Sequence, residues 1–264
     1  MADKGTPTPL LVTLMALTTV SGLVDAVCYL GLGRVFTANM TGNIVVLGFA
    51  VAGARGFSVT ATLTSVAFFL AGAFCAGRAA LWLLRGDAAR NRLLLVAMGT
   101  EACFVATAAL IAALAVTVAT GWARYVVIAL LAFAMGVRNA TVRRLAVPDV
   151  TTTVLTMTLT GLAADAAVAG GEQATAAYRR VATVAAMLIG AIVGAALYLH
   201  QRAALPLLIA ALIVTGLFQF LQRRNAAFGD LHAGPRAAAA MLAIVSMLLW
   251  SSIIFAGRWI AYYA

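Results

Sequence analysis

Three carboxylates lie inside runs of apolar residues: Asp25 in GLVDAVCYL, Glu101 in AMGTEACFV and Asp165 in GLAADAAVA. An ionised side chain in hydrocarbon costs several kcal/mol, so an acid in such a place must face protein or a water-filled cavity. The chemistry open to it is proton or cation coupling, or a hydrogen bond that gates a movement. Alternatives stand beside this for each acid. Asp25 can cap the chain at Gly33 and Arg34, Glu101 can pair with Arg78 or stay protonated, and Asp165 can close a helix end or pair with an arginine.

Two polar stretches accompany the acids, FTANMTGN at 36–43 and VTTTVLTMTLT at 150–160. Gly42 permits backbone angles that other residues avoid. Thr and Asn side chains can satisfy N–H and C=O groups freed by a break in a helix. Broken helices in membranes are tolerated where protein covers them or water lines them, and their half-helix ends can bind a small solute. On this reading Asn39, Thr41, Gly42, Asn43, Thr153 and Thr156 line a solute site, with Arg138 and Asn139 beside it. Thr153, Thr156 and Thr160 fall on one helical face, and Asp149 stands where it can cap that helix. Arg138 would favour an anionic substrate if it faces a cavity. The competing reading is interhelical hydrogen bonding between packed helices.

Enzyme chemistry has little to work with. No GxSxG, HExxH, phosphate-binding glycine loop or carboxylate pair at helical spacing occurs. Cys28, Cys75 and Cys103 lie singly in apolar segments, and His200 and His232 have no partner nearby in sequence. No metal site, cofactor or catalytic set is expected.

The elements that position these residues follow from composition. The 264-residue chain is 64% hydrophobic and 10% charged, against about 25% charged in soluble domains. Its mean hydropathy is +1.03. Nine apolar segments can be drawn, at 9–32, 35–53, 58–84, 93–119, 122–142, 149–169, 181–200, 204–222 and 237–257. Several approach the ~20 residues that span a bilayer. The first is read as a retained helix, because no small-x-small cleavage site follows it. The net charge of +10 would suggest nucleic acid in a soluble protein. Here the charges fall in short loops, so the expected partners are the lipid bilayer and a small solute, without nucleic acid. Self-association into a homo-oligomer is left open.

Loop charges discriminate between topologies. If all nine segments cross, the loops hold eight and nine Lys/Arg on the two sides, which breaks no tie. If 35–53 and 149–169 enter and return on one side, the split is twelve to five. The second arrangement puts the N-terminus in the cytoplasm and gives seven crossings.

The chain also repeats. GLVDA at 22–26 resembles GVRNA at 136–140, and FTAN falls on VTTT at the same offset. LAGAFCAGRAALWL at 70–83 resembles LIGAIVGAALYL at 188–199. Three crossings per half would give the halves opposite orientations, the plan of many secondary transporters. The expected fold is therefore an all-α polytopic bundle. Its membrane domain, 1–222, holds two inverted three-helix repeats, about 9–119 and 122–222, each with a broken or re-entrant polar segment. A loop and an appended C-terminal helix fill 223–264. Gly190 with Gly194, and Gly72, Ala73 and Gly77, mark close helix packing.

SGLVDAVCYLGLGRVFTANMTGNIVVLG and AMGVRNATVRRLAVPDVTTTVLTMTLTGLAAD resemble the two signature regions of the YoaK-like bacterial membrane family. The resemblance covers about residues 10–222 and implies six transmembrane helices in the inner membrane, with no established activity. Many members look like MGLQNA where this chain has Arg138, and TG where it has Thr156-Met157. The final apolar segment exceeds the family's usual length. The function expected is a secondary transporter or permease for a small solute. A membrane scaffold or accessory subunit without transport is the alternative.

Overall fold

The computed structural model describes residues 8–83, 89–115, 121–145, 155–165, 171–201 and 204–224. Among them the chain is helical and contains no strand. The order is α1 (Thr8–Gly31), α2 (Met40–Val51), α3 (Val59–Leu83), α4 (Ala89–Leu114), α5 (Trp122–Leu145), α6 (Leu155–Asp165), α7 (Gly171–Gln201) and α8 (Ala204–Arg224). The appended segment 237–257 and the loop before it lie outside the described residues, as do Asp149 and Thr153.

Five helices, α1, α3, α4, α5 and α7, are long and apolar enough to cross a bilayer, and α8 carries a shorter apolar stretch, Leu205–Phe220. The chain is a multi-pass membrane protein. α2 and α6 are different. At 12 and 11 residues they are about 18 Å and about 17 Å long, against a hydrocarbon core of about 30 Å. The apolar segment at 35–53 yields a helix only from Met40, because Asn39 caps it. Two helices begin well before their apolar segments. α4 takes in the polar turn from Ala89, and α7 takes in GEQATAAYRR, whose Ala, Glu, Gln and Arg favour helix.

Two buried threonines are satisfied within their own helices. Thr18 donates to the Leu14 carbonyl at 2.9 Å and Thr215 to that of Ala211 at 2.7 Å. Each is an i to i−4 bond within its own helix, which lets Thr sit in an apolar bundle without an external partner.

The bundle has a centre and a periphery. α1, α4, α5 and α8 supply the apolar core, including Leu23, Val24, Met98, Val105, Ile128, Leu131, Leu207 and Val214. α3 and α7 are mostly exposed and present Phe68, Leu70 and Phe74, and Leu188, Ile189 and Ile192, to the outside. Without water in the membrane these faces meet lipid at little cost, and the helices associate through close packing.

That packing is set by glycine. A Cβ on Gly22 of α1 would overlap the Met187 carbonyl of α7. One on Gly190 of α7 would overlap the Thr19 carbonyl of α1. At Gly194 a Cβ would lie 2.6 Å from the Leu23 carbonyl oxygen. The α3–α5 crossing is built the same way: Gly72 lies against the Phe133 carbonyl, and Gly136 against that of Phe69. The small faces at Gly190/Gly194 and Gly72 thus do what their spacing implies. Gly77 lies instead near the Arg144 guanidinium.

Candidate functional site

The first part of the site is a strap of chain folded back over α1. After α1 ends at Gly31, Gly33 (φ 99°) and Arg34 (φ 58°) take left-handed conformations. Two such residues together reverse the chain, and the first needs glycine's freedom. Residues 36–38 then run back along α1 to Asp25. Its Oδ1 accepts the Thr37 N–H at 2.7 Å, the Ala38 N–H at 2.9 Å and the Thr37 hydroxyl at 3.1 Å. Asp25 Oδ2 is buried and has no hydrogen-bond partner. The acid therefore holds residues 37–38, rather than the nearer Gly33 and Arg34.

Asn43 fastens the strap from the other side. Its Oδ1 accepts the Phe36 N–H at 2.8 Å, and its Nδ2 donates to the Phe36 carbonyl at 2.7 Å. The amide thus pairs with one residue's backbone on both edges. Nδ2 also reaches Ser65 Oγ on α3 at 3.1 Å, and the Ser65 hydroxyl donates to the Phe36 carbonyl at 2.5 Å. Phe36 stacks on Tyr29 with ring centroids 5.0 Å apart. Asn39 caps α2, accepting the Gly42 N–H at 3.2 Å. Gly42 lies against the Phe36 ring, with no room for a Cβ.

These bonds rank two substitutions. Asn43→Ala removes the acceptor of the Phe36 N–H and one of the two donors to the Phe36 carbonyl, and is expected to destabilise the folded protein by about 2 kcal/mol. Asn39→Ala loses one exposed cap worth about 1 kcal/mol. Thermal unfolding of the purified variants in one detergent checks the order.

The second part is a buried ion pair. Arg138 of α5 and Glu101 of α4 are 3% and 1% exposed. Arg138 Nε donates to Glu101 Oε2 at 2.7 Å, and Nη2 pairs with Oε1. Nη1 donates to the Leu17 carbonyl at 2.7 Å and to Ser21 Oγ at 2.6 Å, both on α1. One guanidinium thus ties three helices. Its planar fork of donors suits this better than an ammonium would. The expected alternative for Glu101, a pair with Arg78, does not form. Arg78 is exposed on α3, on the outside of the bundle. Arg138 faces neither an interface nor an open cavity, because a carboxylate neutralises it inside the protein.

The two parts meet on α1. Ser21 and Asp25 are four residues apart on one face. Asp25, Ser21, Arg138 and Glu101 lie in a polar row through an otherwise apolar core, with no hydrogen bond between Asp25 and Ser21.

The remaining candidates are placed as follows. Asn139 is buried and its amide donates to the Met135 carbonyl at 2.9 Å. Thr41 is exposed at the start of α2. On α6 the buried hydroxyl is that of Thr158, whereas Thr156 and Thr160 are exposed, so the described threonines turn a different face inward from the one their spacing suggested. Asp165 is the last residue of α6. α2 packs on α3 and α6 on α7. Ser21 and Ser65 escaped sequence reasoning. Ser21 could have been found from its place one turn before Asp25, but Ser65 has no such signal. Among the described residues no three His, Cys, Asp or Glu side chains are grouped to hold a metal ion.

A bundle of apolar helices with a charged line sealed in its centre defines a multi-pass helical membrane protein. The chain belongs to the family described as "Protein of unknown function (DUF1275)", which matches residues 13–220. It is 33% identical over 159 residues to the "UPF0700 transmembrane protein YoaK" of Bacillus subtilis (strain 168). That alignment takes in 59% of this chain and 65% of the relative, just under two thirds of its length. No solved structure matches the chain.

Proposed function

We propose that the protein is a proton-linked secondary transporter or permease for a small solute, built from two inverted halves in the inner membrane with a cytoplasmic N-terminus. The observation that carries the reading is the buried polar line with its unpartnered Asp25 oxygen. A buried ion pair adds little net stability over apolar residues of the same volume. In a membrane, buried ionisable groups mark ion pathways and coupling sites by default.

Packing supports the inverted halves. α1 lies on α7 and α5 on α3, so the first crossing helix of each half grips the second crossing helix of the other. The gripping residues correspond under the repeat. Gly22 and Thr19 match Gly136 and Phe133 at an offset of 114 (136 − 22 and 133 − 19). Gly72 and Phe69 match Gly190 and Met187 at an offset of 118 (190 − 72 and 187 − 69). α2 and α6 then correspond as the short polar segments. For α2 a return to its side of entry is supported by two contacts with α3. Asn43, near its start, meets Ser65, while Phe49, near its end, packs against Phe57, just before α3 begins.

In this reading Asp25 is the proton-coupling acid and Glu101 is held by Arg138 until a helix moves. A protein-neutralised Arg138 removes the reason to expect an anionic substrate. Asn39, Thr41, Thr156 and Asn139 remain candidate solute contacts, with Thr153 and Asp165 at the second polar segment. The chain is not read as an enzyme.

The test is uptake by proteoliposomes loaded with a pH-sensitive dye, using solutes first selected by their effect on thermal unfolding. Asp25→Asn should reduce proton-linked uptake at least about tenfold in folded protein. Unchanged uptake in Asp25→Asn removes the coupling role. One observation favours the scaffold alternative: Asn43 spends its amide on its own strap, as packing glue would. Single-cysteine labelling along 36–43 separates the two, because glue admits no water-soluble reagent.

A further inference from the structure

A cleft opens on the side of the bundle where α3 and α4 both lie on α5 but barely touch each other. α5 forms its floor through Phe133, Val137 and Thr141, spaced four residues apart on one stripe. Ala79 of α3 and Val96 and Thr100 of α4 line its walls. Its volume is about 130 Å³, and no acidic residue lines it. Thr141 is 2% exposed, and its hydroxyl has no partner.

One end of the cleft is basic. Arg144 follows Thr141 by three residues and continues the floor stripe. It is exposed, and its Nη2 makes a long 3.4 Å bond to the Gly77 carbonyl of α3. Arg78 and Arg143 are exposed at the same level. The first turn of α4, which starts at this end, carries Arg90 and Arg92 in sequence. An apolar slot that faces hydrocarbon and ends in arginines matches a molecule with an apolar tail and an anionic head.

We infer that the cleft between α3, α4 and α5 binds an anionic phospholipid, its acyl chain along Phe133 and Val137 and its phosphate at Arg144. The guanidinium supplies paired donors to phosphate oxygens. The unpartnered Thr141 hydroxyl lies between tail and head, at the level of the lipid's ester groups. The occupant is a lipid rather than a free phosphate because the slot would otherwise be bare apolar surface. The site is separate from the Arg138–Glu101 pair, which does not line it and is sealed between α5, α4 and α1.

Native mass spectrometry of the full chain tests this, with phosphatidylglycerol and phosphatidylcholine of identical acyl chains. The wild type should retain phosphatidylglycerol about fivefold over phosphatidylcholine, the worth of one interfacial arginine. Arg144→Gln should bring the ratio close to one, and Arg144→Lys should keep most of it. Thr100→Trp, which fills the slot with the arginine intact, should lower retention of phosphatidylglycerol by a similar factor. Arg55→Gln, in the exposed loop between α2 and α3, should change nothing. Equal retention of the two lipids by the wild type overturns the inference. So does a ratio unmoved by Arg144→Gln, or displacement of the lipid by glycerol phosphate, which has the head without the tail.

Discussion

Arg138→Met will destabilise the folded protein by about 3–5 kcal/mol, the cost of leaving Glu101 buried without its partner. The loss extends past the ion pair. The Leu17 carbonyl and Ser21 hydroxyl on α1 give up their donor at the same time, so α1, α4 and α5 lose their common tie. Glu101→Leu combined with Arg138→Met should behave differently. Removing both charges leaves no unpaired ion, and such replacements are often neutral or stabilising. The double variant is therefore expected to recover most of the loss, as read by unfolding midpoints in one detergent. Under the proposed transport role, it should still fail in proton-linked uptake if the pair has to open. A double variant no more stable than Arg138→Met would show that the arginine acts mainly through α1.

The second large effect lies at the helix crossings. Gly22→Ala places a methyl group into the Met187 carbonyl, and Gly136→Ala does the same at Phe69. The obstacle is backbone, so neither crossing can relax by turning a side chain. Each substitution should cost about 1–3 kcal/mol, the usual range for overpacking, and Gly22→Leu more. Gly48 is the contrast. It lies within α2 with nothing in reach of an added Cβ, and Gly48→Ala should be neutral or gain up to about 1 kcal/mol from helix propensity. Size-exclusion profiles and unfolding midpoints of the three alanine variants check the order. A Gly22→Ala protein as stable as Gly48→Ala would contradict the close α1–α7 crossing.

The parts of this fold legible in the sequence are those fixed by local pattern. Hydropathy located α1, α3, α5 and α8 to within three residues at either end, because each is a single apolar run bounded by polar loops. It missed the first ten residues of α7, since a helix that leaves the membrane no longer needs apolar side chains. One side of each glycine crossing, Gly190 with Gly194 and Gly72, was legible because only small residues allow backbones so close, whereas Gly22 and Gly136 on the facing helices carried no such spacing. The partners of the acids were not. Whether Glu101 meets Arg78 or Arg138 depends on how α3, α4 and α5 are rotated about their axes, and the sequence offered either arginine. Asp25 posed the same difficulty in another form. Its donors are two backbone N–H groups, which every residue but proline carries, so nothing in the side chains of residues 37–38 marked them. The strap's Asn43 was visible as an anomaly, but its use was ambiguous. An amide that binds solute and one that binds Phe36 read alike until the backbone is seen.

The exchange of partners between the halves has a consequence for how the protein is made. Gly22 and the residue it packs against, Met187, are 165 positions apart (187 − 22). At bacterial or eukaryotic rates of about 5–20 residues per second, the ribosome needs on the order of ten seconds or more to deliver α7 after α1 has entered the bilayer. Through that interval α1 waits with its Asp25 and its glycine groove unclaimed by α7. The strap at 36–38 arrives within a second or so of Asp25 and supplies the acid with donors long before the groove is filled. A newborn first half thus already has donors for Asp25, while Glu101 must wait for Arg138 and the glycine groove for α7.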